Sequence, residues 1–247
     1  MKKVVFIVLL LMSFASFAFA KQLYVSDFEK DAIGNAPSGW ELGFVGAGNG
    51  KVVADPLNAN NKIFAATDLA KDKARHDVGG NIWVVGDAAW QDYVVEYDVY
   101  FPEDFYIGVL FRFISSDQFY LLDRRVVPPS TFDFYKHDAG AWTNITAGAK
   151  FDAAPKQWFR FRLVVKGDSF EAYAKAKDDK TSFDGMKALI TGKDATYKAG
   201  KFGLYGLIYI DNIVIGETAA DMTITNVTPV EPIGKLTTTW GDTKIKF

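Results

Sequence analysis

From residue 92 to 123 the chain reads DYVVEYDVYFPEDFYIGVLFRFISSDQFYLLD, with side chains that change character at every second position. Val95, Tyr97, Val99 and Phe101 fall on one side of an extended chain, and Glu96, Asp98 and Tyr100 fall on the other. That is the period of a half-buried strand. Ile107, Val109, Phe111 and Phe113 repeat it opposite Gly108, Leu110 and Arg112, so one charge is carried inside an otherwise apolar strand. A helix would scatter these residues around its circumference, whereas a sheet collects them on one side. Three consecutive strands are expected, the first two joined through a five-residue hairpin connection at 102–106. In that register Glu96 lies opposite Arg112 and Asp98 opposite Leu110.

The same alternation returns along 158–166, where Phe159, Phe161, Leu163 and Val165 point inward and Arg160, Arg162 and Lys166 outward. Gly167 then turns the chain into a second strand at 170–175. Further strands are expected at 23–28, 51–54 and 62–66, a hairpin at 131–137 and 142–145 around Asp138-Ala139-Gly140, and a closing pair at 202–206 and 208–215. Residues 178–194 read as a charged loop or short helix crossing a sheet edge. Aromatic residues make up 15% of the chain, a content that suits pleated surfaces and sandwich cores. Many short strands at turn spacing, with no internal repeat and no heptad, predict an all-β, two-sheet antiparallel jelly-roll sandwich. A length of 247 residues with 49% hydrophobic content is enough for one such domain.

A net charge of −2 provides no basic field for a phosphate backbone, which removes nucleic acid from the expected partners. Lys2 and Lys3, an apolar run at 4–11 and the small-x-small motif Ala18-Phe19-Ala20 have the order of a secretory signal peptide over 1–20. The expected protein is therefore secreted, whether extracellular, cell-surface or periplasmic, with no membrane span after cleavage. It has no cysteine, so its core must hold without disulfides. The domain is expected over 21–217. Residues 218–247, with Pro229 and Pro232, read as a linker and tail.

Asp27-Phe28-Glu29 before Pro37-Ser38-Gly39-Trp40, then DYVVEYDVYF, GVLFRF, QFYLLD, WFRFRLVVKGDSFEAYA and KFGLYGLIYIDNIVIG follow one another in an order that resembles the concanavalin A-like lectin/glucanase superfamily, in its laminin-G-like form found in secreted bacterial proteins. The resemblance spans about residues 21–217 and implies a sandwich able to host sugar binding, glucan cleavage or protein adhesion. The glucanases of this fold carry E-x-D-x-x-E or E-x-D-x-E on one strand. Glu96-Tyr97-Asp98 supplies the first two acids, but Tyr100 and Phe101 stand where the last would be. The related keto-sugar hydrolases have an arginine-bearing strand followed by an acid. GVLFRF keeps the arginine, and Asp123 is the one acid in FYLLD.

The residues favour a lectin-like module that recognises a carbohydrate or cell-surface glycan on a concave sheet face through Glu96, Asp98, Tyr100 and Arg112, with Tyr120, His76 and Trp83 as further contacts. A sugar offers C–H faces to an aromatic ring and hydroxyls to charged groups, and this set provides both. The alternatives are a glycoside hydrolase of either type above, or a surface-adhesion or structural protein with other extracellular proteins as partners. Trp83, Trp90 and Trp142 lie in or beside loops, where they can form a rim or serve as core. The resemblance also implies a structural calcium ion between first and last strands, with Asp27, Glu29 and Asp211 as hard oxygen donors.

Overall fold

The computed structural model describes residues 21–44, 50–67, 81–104, 107–125 and 131–222. His76, the signal peptide at 1–20 and most of the tail lie outside them. The described residues form two eight-stranded antiparallel sheets packed face to face. The first sheet runs from edge to edge through β14 (Ile190–Lys193), β13 (Ser169–Ala176), β12 (Trp158–Lys166), β6 (Tyr93–Tyr100), β16 (Tyr209–Gly216), β4 (Asn58–Ala65) and β3 (Lys51–Asp55). Its eighth strand, β1 (Gln22–Ser26), pairs with the end of β16 that β4 leaves free. The second sheet runs through β10 (Ala141–Asn144), β9 (Thr131–Asp138), β8 (Gln118–Arg125), β7 (Ile107–Ser115), β15 (Lys201–Tyr205), β5 (Ile82–Val85) and β2 (Trp40–Phe44), with β11 (Ala149–Lys150) also on β9. Helical structure among the described residues is confined to the 3-10 turns Phe183–Gly185 and Ala219–Asp221, and no helix there is long and apolar enough to cross a membrane.

The inward halves of the alternating strands build one core. Tyr97, Val99, Phe161 and Ile210 from the first sheet meet Phe111, Phe134 and Phe202 from the second, each 2% exposed or less. Phe161 packs 5.3 Å from Phe132 and Phe111 packs 4.8 Å from Phe170, so aromatic rings bridge the two layers. The β9–β10 hairpin forms as expected, with Ala139 and Gly140 at φ of 47° and 83°. Positive φ at both central positions fits the twist of paired strands.

Two pairings differ from the sequence expectation. β6 and β7 do not form a hairpin: β6 lies between β12 and β16 in the first sheet, and β7 lies between β8 and β15 in the second. Likewise β15 and β16 belong to different sheets. Alternation specifies which side of a strand is buried, and a chain crossing between layers satisfies it as well as one folding back on itself.

Candidate functional site

Glu96, Asp98 and Tyr100 share the outer face of the first sheet, as expected, but their guanidinium partners come from β12. Arg162 Nε lies 2.8 Å from Glu96 Oε1, and Arg160 donates to Glu96 Oε2 at 3.0 Å and to Asp98 Oδ1 at 2.9 Å. Asp98 Oδ2 is held by Lys177 Nζ at 3.0 Å and Asn212 Nδ2 at 2.9 Å. All four carboxylate oxygens are thus engaged, and the two acids are buried. Tyr100 is closed on both sides, with Trp158 at 5.4 Å and Tyr209 stacked at 5.9 Å. This face is an ion-pair lattice with little free valence.

Arg112 is not opposite Glu96. A bulge between Phe111 and Ser115 puts Arg112 at φ 49° and turns its side chain to the sandwich interior, where it is 1% exposed. There it donates to the carbonyls of Tyr197 at 2.9 Å, Gly167 at 2.6 Å and Gln91 at 3.2 Å, bracing three loops at one end of the domain. Tyr120 is a core ring, stacked on Phe111 at 5.2 Å, with its hydroxyl donated to Asp194 at 2.6 Å. Trp83 is also core, edge-on to Phe64 at 5.6 Å. Both face inward because alternation along β8 and β5 gives their outer positions to Phe119, Leu121, Ile82 and Val84.

The expected metal set does not converge. Glu29 Oε1 accepts from the Lys62 amide at 2.7 Å, while Lys62 Nζ donates to the carbonyls of Glu29 at 2.7 Å and Asp31 at 3.0 Å. An ammonium group therefore already supplies positive charge to those oxygens. Asp27 accepts from the Glu29 amide. Asp211 belongs instead to the outer lattice of the first sheet, bonded by Asn61 and Asn212 at 3.0 Å each. Burial pushes its carboxyl up to about 6 against those bonds and the pull of Lys177. No cluster of three His or acidic groups able to hold a metal occurs among the described residues, and these donors do not fit calcium.

The outer face of the second sheet is arranged differently. Ile82, Val84, Leu110, Phe113, Phe119 and Leu121 form a second apolar cluster on it, with Tyr135 and Tyr205 packed alongside. Trp142 stands above this floor with 46% of its surface exposed. Its ring lies 4.4 Å from His137, 5.7 Å from Phe119, 6.0 Å from Tyr205 and 6.3 Å from Tyr135. Alternation along β9 places Asp133, Tyr135 and His137 in one outward row, so the strip runs about 13 Å from Trp142 to Asp133.

The far end of the strip is polar. Asp123 on β8 is directly paired with Asp133 on β9 and with Gly108 on β7. Asp133 accepts from Asn144 Nδ2 at 3.2 Å, Asn144 also reaches the Tyr135 hydroxyl at 3.2 Å, and Arg125 donates to that hydroxyl. Asp123 is 5% exposed, yet its Oδ1 has no hydrogen-bond partner among the described residues, nor does His137 Nδ1. Burial pushes the Asp123 carboxyl up to about 7. Arg125 and Arg124 pull it down, and Asp133 pushes it further up. Burial likewise lowers the His137 imidazole. An unpaired buried acceptor is costly. Trp142 and Asp123 were each visible in the sequence, one as a rim candidate and the other as a lone acid. Reading that the β8, β9 and β10 pairings join them in one strip requires the register.

No family model matches this chain, and no curated protein does. Among solved structures, the chain is similar to the carbohydrate-binding module CBM66 from Bacillus subtilis, with a TM-score of 0.50 and 18% identity over 72% of this chain and 95% of that one. It is similar at the same TM-score to domain 4 of AbnA, a GH43 extracellular arabinanase from Geobacillus stearothermophilus solved in complex with arabinotriose. That match has 12% identity and covers 83% of this chain and 97% of the other. At these identities the likeness establishes a shared β-sandwich fold.

Proposed function

We propose that the protein is an extracellular carbohydrate-binding module that takes a glycan along the outer face of its second sheet. The observation that carries this is a half-exposed tryptophan ring on an aromatic floor, in line with a buried carboxylate oxygen that lacks a partner. Trp142 offers a flat surface to the C–H face of a sugar. Asp123, Asp133, Asn144 and Arg125 offer acceptors and donors to its hydroxyls. Solved structures of like fold include a carbohydrate-binding module and a domain in complex with arabinotriose, which supports the reading. Export through the leader at 1–20, a concanavalin A-like domain of laminin-G-like form over 21–217 and a linker and tail over 218–247 are parts of the same proposal.

A second reading has one observation behind it. Directly opposed residues on adjacent strands have Cβ atoms about 4.5–5.5 Å apart, and retaining glycosidases hold their two carboxyl groups about 5–5.5 Å apart. Asp123 and Asp133 are directly opposed on neighbouring strands, which puts their Cβ atoms in that range, and an acid held at about 7 is the kind that protonates a leaving group. The glycoside hydrolase alternative therefore passes from Glu96 and Asp98 to this pair.

One experiment addresses both. A glycan array and affinity electrophoresis on soluble polysaccharides, run with the native protein and with Trp142→Ala, are expected to show binding that the substitution weakens by roughly tenfold or more, about 1.4 kcal/mol. Unchanged retention by Trp142→Ala would remove the site. Reducing ends released by the native protein and lost in Asp123→Asn would move the assignment to hydrolase.

A further inference from the structure

Lys21 is the residue that follows the Ala18-Phe19-Ala20 motif. Its backbone nitrogen donates to Asp221 Oδ1 at 2.9 Å, across 200 residues of sequence. Asp221 is 3% exposed, and its other oxygen accepts from the Thr218 amide at 2.7 Å and the Thr218 hydroxyl at 3.0 Å. Gln22 Nε2 donates to the Asp221 carbonyl at 3.0 Å, and the Glu217 amide donates to the Lys21 carbonyl at 3.3 Å. The turn sits tightly on the end of β16, since a Cβ on Gly216 would stand 2.4 Å from Asp221 Cβ. Asp221 forms no ion pair with a Lys or Arg side chain among the described residues, and the Lys21 side chain goes to Glu217 instead. A buried carboxylate is thus held by neutral donors alone, one of them at the expected cleavage point.

We infer that the Asp221 carboxylate is a receptor for the α-ammonium group that cleavage of the Ala20–Lys21 bond creates. The step is a hydrolysis by an export peptidase: water adds across the peptide bond, its oxygen stays on the Ala20 carbonyl carbon, and the Lys21 nitrogen takes up protons to become an ammonium. A single neutral N–H donor then becomes a cation with three, already within hydrogen-bond distance of a buried anion. Hydrogen bonds between charged partners are roughly twice as strong as those between neutral ones. Removal of the leader would therefore strengthen the contact that already ties the start of β1 to the Ala219–Asp221 turn. This inference goes beyond the glycan reading and rests only on the leader at 1–20.

The test compares the exported protein with a form in which Gly-Ser is inserted between Ala20 and Lys21, so that processing leaves a peptide amide at Lys21. N-terminal sequencing and intact mass of the native form are expected to begin at Lys21. Near pH 7 the inserted form is expected to melt lower by roughly 2–6 °C. Combining the insertion with Asp221→Asn is expected to abolish that gap. If Asp221→Asn does not fold, the pH dependence replaces it. Pairing raises the ammonium pKa above its unfolded value, so the gap is full at neutral pH and closes as pH rises through the folded value. Equal melting of native and inserted forms at neutral pH, a gap that persists in Asp221→Asn, or a native N-terminus other than Lys21 would overturn the inference.

Discussion

Asp123 stands where stability and binding pull in opposite directions. Its carboxyl is held at about 7 in the folded chain, against an ordinary value of 3.8. The folded state therefore keeps a proton that the unfolded state has lost between those values, and stability from this group falls as pH rises across the window. At alkaline pH the buried charge costs up to roughly 4 kcal/mol. Asp123→Asn removes the charge at almost unchanged shape. It is expected to raise unfolding free energy at pH 8 by about 1–3 kcal/mol in urea titration, and to weaken glycan binding in the same preparation. A residue kept only for packing would show the first effect without the second. Arg112 teaches the converse lesson. In sequence it is a lone charge on an outward position, and only the bulge at positive φ turns it inward onto three carbonyls.

At the scale of strands, burial was legible and partnership was not. Alternation along 93–100, 131–138 and 158–166 identifies each strand and its inward side, because the period of two belongs to a single chain. Which strand lies next door depends on crossings between layers, and no local pattern distinguishes β6 beside β7 from β6 beside β12. The acids at Glu96 and Asp98 were rightly placed on one face, and their arginines were sought on the wrong strand. Gly108 is the test at this scale. A Cβ there would stand 1.9 Å from the Leu122 carbonyl oxygen and 3.1 Å from Leu121 Cδ1, so any side chain must pry β7 from β8. Gly108→Ala is expected to destabilise the domain by roughly 2–4 kcal/mol and to impair glycan binding, since the same ladder positions Asp123. Thermal melting beside affinity electrophoresis measures both.

For the molecule as a whole, the three most strongly shifted carboxyl groups among the described residues bear on the pH response. Asp123 and Asp211, held at about 7 and about 6, both make the fold less stable as pH rises from about 4 to 7. Asp194 acts in the opposite sense: burial pushes it up, but hydrogen bonds from Thr196, Tyr120 and Lys136 outweigh that and hold it at about 2. Its contribution is present above the ordinary carboxylate range and lost as pH falls toward 2. Chemical denaturation of the native protein is therefore expected to give a higher midpoint at pH 5 than at pH 8, a difference that Asp123→Asn narrows. A midpoint that rises steadily from pH 5 to 8 would contradict the assignment. Strand β1 and the Ala219–Asp221 turn meet beside β16, in the layer that does not bear Trp142. A chain leaving residue 222 therefore departs beside the sheet opposite the one that carries Trp142.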